Sequence, residues 1–217
     1  MDQVKSLPQL SAEEQRVLGS LIEKSRTTPD YYPMTLNGLT AACNQKSSRY
    51  PVVNYDEETI ILTLNQLKIK GLISTATGGS SRATKYKHNL AIVYPLLPSE
   101  LAIICLLLLR GPLTPGEINS NSGRLYEFES IEEVLEQLQK LADDETPFVK
   151  QLAKKAGQKE ARFVHLLGEF VENDSNTPIE HAQTVVFQPN EELENRLKKL
   201  EQEIEELKEL VNLLMDK

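Results

Sequence analysis

Cysteine and histidine are scarce: the 217 residues hold two cysteines and three histidines. Cys43 and Cys105 lie far apart, each within an apolar helical pattern. They read as small buried hydrophobes rather than as a disulfide or a metal pair. His88, His165 and His181 share no metal-ligand spacing with one another or with the cysteines. A phosphate-cradling loop is missing too, because Gly78-Gly79 has no Lys-Ser/Thr after it and reads as a hairpin turn. No nucleophile-elbow motif occurs. These absences point to a protein that is not an enzyme and that uses no cofactor or metal. The longest apolar run, Leu101 to Leu109, falls well short of the roughly 20 residues needed to span a bilayer. Met1-Asp2-Gln3-Val4-Lys5 lacks a signal-peptide core. The expectation is a cytoplasmic protein with no membrane partner.

The formal net charge is -8 at pH 7, which taken whole opposes nucleic-acid binding. The charge is uneven, however. Residues 1–90 hold 11 Lys+Arg against 8 Asp+Glu, residues 91–168 hold 8 against 11, and residues 169–217 hold 5 against 13. The acidity belongs mainly to the tail. The leading third is mildly basic, which permits DNA binding without demanding it.

Ser11-Ala12-Glu13-Glu14 is a capping box, and Val17, Leu18, Leu21 and Ile22 follow on one helical face. Thr27-Thr28-Pro29-Asp30-Tyr31-Tyr32-Pro33 ends that helix. Thr35 caps a second helix with Leu36, Leu39, Ala42 and Cys43 on its apolar side. A polar, basic loop, Asn44-Gln45-Lys46-Ser47-Ser48-Arg49, comes next. A third helix starts near Asp56, turns Ile60, Ile61, Leu64 and Leu67 inward, and stops at Gly71. Leu72 to Thr77 and Ala83 to His88 then form a hairpin. Three helices followed by a hairpin is the layout of a winged helix-turn-helix.

The layout repeats. Pro98-Ser99-Glu100 opens an apolar helix. Pro33-Met34-Thr35 is echoed by Pro112-Leu113-Thr114, 79 positions on, and Leu39 by Ile118 at the same offset. Thr114-Pro115-Gly116-Glu117 is again a cap with a first-turn proline. Leu64-Asn65-Gln66-Leu67 is matched to Leu135-Glu136-Gln137-Leu138. A second hairpin runs through Phe148–Leu152 and returns through Arg162–Leu166, with Tyr86-Lys87-His88 matching Phe163-Val164-His165. The predicted fold class is therefore α+β, mainly α. It comprises winged-helix domains at 8–92 and 96–168, an acidic linker at 169–189, and a C-terminal coiled-coil helix at 190–216. The alternative is two unrelated α+β lobes.

In that last segment Leu193, Leu197, Leu200, Ile204, Leu207, Val211 and Leu214 recur at heptad spacing. Branched residues at a with leucine at d favour two parallel strands. The partner expected there is a second copy, giving a homodimer. The competing reading is an amphipathic helix folded back on its own domain.

The first two units resemble the YceH-like family of bacterial proteins. The resemblance is carried by Leu18-Gly19-Ser20-Leu21-Ile22-Glu23-Lys24, Thr27-Thr28-Pro29 with Tyr32-Pro33, Leu36-Asn37-Gly38, Ala42-Cys43-Asn44-Gln45-Lys46 with Arg49, and Pro51-Val52. Leu107-Leu108-Leu109-Arg110-Gly111, Thr114-Pro115-Gly116-Glu117 and Leu125-Tyr126-Glu127-Phe128 extend it into the second unit. The resemblance implies tandem winged-helix domains and supplies no substrate or catalytic residue.

Three surfaces are candidates for DNA contact. One is the loop with Asn44, Gln45, Lys46, Ser48 and Arg49. Another is a stripe on the third helix, Thr59, Thr63, Gln66 and Lys70, expected opposite its core face and suited to a major groove. The last is the pair of hairpin tips, with Arg82, Lys85 and Lys87 in one and Lys154, Lys155, Lys159 and Arg162 in the other. Each reads equally as a solvated face. Asp56, Glu57 and Glu58 oppose phosphate approach, and Glu132, Glu133 and Glu136 mark the matching helix of the second unit for protein contacts. Two functions follow: a dimeric, regulator-like DNA-binding protein with the first unit as reader, or a winged-helix interaction module that never touches DNA. In the first, exchanging Lys46 and Arg49 for alanine lowers DNA affinity without unfolding the protein.

Overall fold

The computed structural model describes residues 6–76, 83–154 and 157–168. The chain divides into two units, Met1–Glu172 and Asn173–Lys217, and every described residue lies in the first. The linker and the heptad segment, Leu193 to Leu214, lie outside the described residues, as do Arg82 and Lys155.

The described part is an α+β fold with small sheets. Helix α1 (Ala12–Thr27) starts where Ser11 and Glu14 cap each other. A 3₁₀ turn at Pro29–Tyr31 leads to a short strand, β1 (Met34–Thr35). Thr35 then caps α2 (Leu36–Cys43) by accepting the Gly38 N–H, and Asp56 caps α3 (Glu57–Ile69) by accepting that of Thr59. Gly71 ends α3 with a φ of +73°, which a side chain would strain. Strands β2 (Ile73–Ala76) and β3 (Lys85–His88) form the hairpin, and β1 joins its open edge to give the order β1-β3-β2. A short helix, α4 (Leu90–Val93), leads to α5 (Pro98–Arg110), α6 (Pro115–Ser122) and α7 (Ile131–Asp143). Strands β4 (Val149–Gln151) and β5 (Phe163–His165) close the unit.

The internal repeat extends to strand register. Met34 pairs with Tyr86 in the first half, and Leu113 bridges Phe163 in the second. Ile73 lies opposite His88, as Val149 lies opposite His165. Asp56 caps α3 and Ser130 caps α7. Ile60, Leu64 and Leu67 are buried along α3, as are Val134, Leu138 and Leu141 along α7. This corrects the matching of these helices. Leu64 corresponds to Leu138, not to Leu135, which is exposed.

The two halves share one apolar core that runs from Leu10 to Leu167. Helix α5 is buried on all sides from Ser99 to Leu109, which fits its unbroken apolar sequence. Helix α1 lies directly against it. A Cβ added to Gly19 would sit 2.9 Å from Leu109 Cγ and Cδ2, so only glycine permits this approach. Cys105 Sγ lies 3.5 Å from the Gly19 carbonyl oxygen. The Leu10 N–H donates to the Leu167 carbonyl at 2.8 Å, joining the two ends of the unit. The segments 8–92 and 96–168 are therefore halves of one body rather than two separate cores.

Both cysteines are buried and free. Burial pushes the Cys43 thiol up to about 11, consistent with inert packing groups.

Candidate interaction surface

The loop after α2 is held from beneath by two buried arginines. Arg16 on α1 donates to the carbonyls of Cys43 and Pro51. Arg49 donates to the Ala42 carbonyl at 3.0 and 3.3 Å and to the Ser48 carbonyl at 3.0 Å. Its two terminal nitrogens also grip Glu23, at 3.0 Å to Oε1 and 2.7 Å to Oε2. The Arg49 side chain is 0% exposed. It is a structural clamp, and the expectation that it faces phosphates is corrected. Burial pushes the Glu23 carboxyl up, but the hydrogen bond and charge of Arg49, aided by Lys24, outweigh this and hold it below the usual range.

The rest of the loop is similarly occupied. Asn44 closes a two-bond bridge with the backbone of Tyr55, at 2.7 and 2.8 Å. Gln45 accepts from Lys24 at 3.3 Å. Ser48 takes a φ of +60° and accepts from Arg110 on α5 at 2.8 Å. Lys46 alone among the loop's named cations stands exposed and outside any ion pair among the described residues.

The stripe on α3 is exposed only in part. Thr63 is buried, and its hydroxyl donates to the Thr59 carbonyl at 2.7 Å. Lys70 Nζ lies 2.6 Å from Glu14 Oε2 and 2.8 Å from the Gln9 carbonyl. Thr59, Thr63, Gln66 and Lys70 border a shallow groove beside the start of α1, where Gln66 and Lys70 are exposed as expected and Thr63 is not. Helix α1 packs against α3 on the side of Thr63, which joins Ile60, Leu64 and Leu67 in the buried stripe.

The side of α3 that faces solvent is mixed, with three apolar side chains among exposed Glu58, Asn65, Gln66 and Lys68. Ile61 is 42% exposed, Leu62 60% and Ile69 80%. Ile61 thus points outward, against the sequence expectation. Glu57 and Glu58 sit at one end of this face and Lys68 at the other.

At the second hairpin, Arg162 donates in a fork to both carboxylate oxygens of Glu117 at 2.8 Å and to the Pro112 carbonyl. It ties β5 to the start of α6 and is not a free phosphate ligand. Lys154 donates to the Lys159 carbonyl at 3.2 Å. Lys85, Lys87 and Lys159 form no ion pair among the described residues.

His88 and His165 occupy matching strand ends. Each Nδ1 is buried without a hydrogen-bond partner among the described residues. Burial pulls both rings down to about 4, with Arg26 adding to the effect at His88. Among the described residues no group of histidine, cysteine, aspartate or glutamate has a geometry fit for a metal ion, and no helix is long and apolar enough to cross a membrane.

Residues 10–158 match the family described as "Protein of unknown function, DUF480". The chain belongs to this DUF480 family. Among similar proteins, the UPF0502 protein of Shewanella halifaxensis is 43% identical over 214 residues, covering 96% of this chain and 100% of its own. That of Shewanella piezotolerans is 44% identical over 214 residues, covering 96% and 99%. The relative from Opitutus terrae is 47% identical over 173 residues, covering 79% and 75%. The YceH-like resemblance agrees with this bacterial family.

The sequence reading missed the roles of Arg16 and Glu23 and the exposed apolar residues of α3. One signal was available. Ile60, Leu64 and Leu67 already complete a core stripe, so Ile61, Leu62 and Ile69 are apolar residues in excess of what the core needs.

Proposed function

We propose that this DUF480 protein is a non-enzymatic tandem winged-helix module that docks a protein partner through the outward face of α3. The winged-helix reading is supported by the twice-repeated order of three helices and a hairpin, with the third strand of the first half matched in the second by the single bridge between Leu113 and Phe163. The exposed Ile61, Leu62 and Ile69 carry the choice of partner. A helix built to read DNA offers polar and basic groups to base edges and phosphates. This one sets three exposed branched apolar side chains among Asn65, Gln66 and Lys68, with two acids at its leading end, and that apolar group suits an apolar-striped helix of another protein.

The test is a photo-crosslinking residue placed at Leu62 or Ile69 in the living bacterium. The expected result is one protease-sensitive adduct of the same mass from both positions, absent when the label replaces exposed Ile92. Nuclease-sensitive adducts, or none, would overturn the reading.

A second reading keeps the protein as a DNA-binding regulator. Lys46, Lys85 and Lys87 favour it, since these cations of the first half stay outside ion pairs among the described residues. Homodimerisation through Leu193–Leu214 is proposed from the heptads alone. Removal of residues 190–217 is expected to give a monomer by light scattering, and a persisting dimer would refute it.

A further inference from the structure

A cleft of about 430 Å³ opens between the two halves of the repeat. Its lining comes from the end of α1 and the loop after α2 in the first half, and from α5, the end of α6 and the turn beyond it in the second. None of it belongs to α3. The charged side chains of the lining are three bases, Lys24, Arg110 and Arg124, and one acid, Glu23. Three less one leaves a net charge of +2, in a chain whose total is -8. The acid is already engaged, since Arg49 holds both of its oxygens and Lys24 lies 3.1 Å from Oε2. Arg110 is half-buried and forms no ion pair among the described residues. Its Nη2 donates to the Ser48 hydroxyl at 2.8 Å. Its Nε and Nη1 have no acceptor among the described residues and are not sealed from solvent. Burial pulls this guanidinium down, with Glu23 opposing and Arg49 adding to the effect. The carbonyl end of α5 offsets part of the charge but supplies no counter-ion. A cation with only a neutral partner is stabilised by an anion that reaches it. Arg124 is exposed, and its guanidinium makes no hydrogen bond or ion pair among the described residues. Lys24 can only donate, so at 3.3 Å it fixes the Gln45 amide oxygen towards itself and leaves the amide nitrogen as a further donor. Buried Leu106 and Leu109 and half-buried Leu125 give the cleft an apolar side.

We infer that this cleft binds a small phosphate monoester, with Arg110 and Arg124 on the phosphate and the leucine side taking the organic body. The reading goes beyond protein docking at α3 and does not depend on it. Charge, hydrogen bonding and size choose the ligand. The unpartnered guanidinium and amide nitrogens are donors only, which suits a head group that only accepts. The net charge of +2 in the lining matches a phosphate monoester dianion, whereas a carboxylate or a phosphodiester brings a single charge. A planar guanidinium also meets two phosphate oxygens at once. The volume exceeds what a bare phosphate fills and falls in the range of small-molecule sites.

The probe is phenyl phosphate, titrated into the full chain at about pH 7.5, where it is a dianion, and followed by amide NMR shifts. Saturable shifts are expected at Ser48, Asn121 and Leu125, with a Kd of about a millimolar. Phenyl sulfate keeps the shape with one charge fewer and is expected to bind about tenfold more weakly. Phenol is expected not to bind. Arg110→Gln is expected to weaken phenyl phosphate about tenfold. If that variant proves poorly folded, Arg124→Ala reads the same attraction at an exposed position, with an expected loss of about threefold. Lys46→Ala removes an exposed cation of the loop after α2 that lies outside the lining, and is expected to leave the affinity unchanged. A random-sequence duplex at the same phosphate concentration is expected not to displace the probe, which separates a small ligand from a nucleic-acid backbone. Absent shifts, equal affinity for phenyl sulfate, an equal loss with Lys46→Ala, an affinity unmoved by both arginine variants, or displacement by the duplex would overturn the proposal. The crosslink at α3 reads a different surface, so the two readings fail separately.

Discussion

Replacing Arg49 by methionine tests whether the loop after α2 is a clamp or a reader. The guanidinium makes five hydrogen bonds, to Ala42, Ser48 and both Glu23 oxygens, from a side chain that solvent does not reach. Methionine fills the volume but leaves the Glu23 carboxylate without its main partner. Removing one member of a buried pair costs about 3–5 kcal/mol. Glu23 retains Lys24 at 3.1 Å, which places the expected loss near the lower limit, about 3 kcal/mol. In a protein of this size that corresponds to a Tm lower by about 6–12 °C. Urea unfolding at pH 7 measures it, as a shifted midpoint at constant slope. Lys46→Ala, on the same loop but exposed, is expected to change stability by less than about 0.5 kcal/mol. Adding Glu23→Gln to Arg49→Met should recover part of the loss, since the stranded charge is then gone. An Arg49→Met protein that melts within about 2 °C of the parent would refute the clamp and restore Arg49 to the exposed loop.

Three further outcomes follow from the same structure. His88 and His165 have folded values near 4 against 6.5 when unfolded, so the unfolded chain binds more protons between those limits. Stability is then full above about pH 6.5 and falls towards pH 4, by about 3 kcal/mol for each ring; a urea midpoint unchanged between pH 7 and pH 5 would contradict this. Gly19→Ala drives a methyl into Leu108 and Leu109 and should cost about 1–3 kcal/mol in the same assay, whereas no loss would mean the α1–α5 approach is looser than described. Ile69→Ser should leave the melting temperature of the full chain unchanged within about 2 °C, and a larger drop would mean that another part of the chain covers this face.

The elements were legible because their boundaries are written in local chemistry. Ser11, Thr35, Asp56 and Thr114 cap the helices expected of them, and Gly71 ends α3. The matching histidines of the two hairpins fall at the same strand register. The surfaces were not legible in the same way. Whether a cation is free depends on which carboxylate tertiary packing brings to it. Glu23 lies 26 residues from Arg49, Glu14 lies 56 from Lys70, and Glu117 lies 45 from Arg162. No local pattern announces these pairs. Two-residue β1 also escaped notice, since it exists only because β3 offers it an edge.

The choice between a protein-docking module and a DNA reader turns on how many cations remain free. It is tested most directly by fluorescence anisotropy of a labelled random-sequence duplex, titrated with the full chain at 50 and 200 mM salt. With Arg49, Lys70 and Arg162 held in ion pairs, the account predicts no saturable binding below about 10 μM protein at the lower salt. Saturable binding that weakens steeply at the higher salt would contradict it.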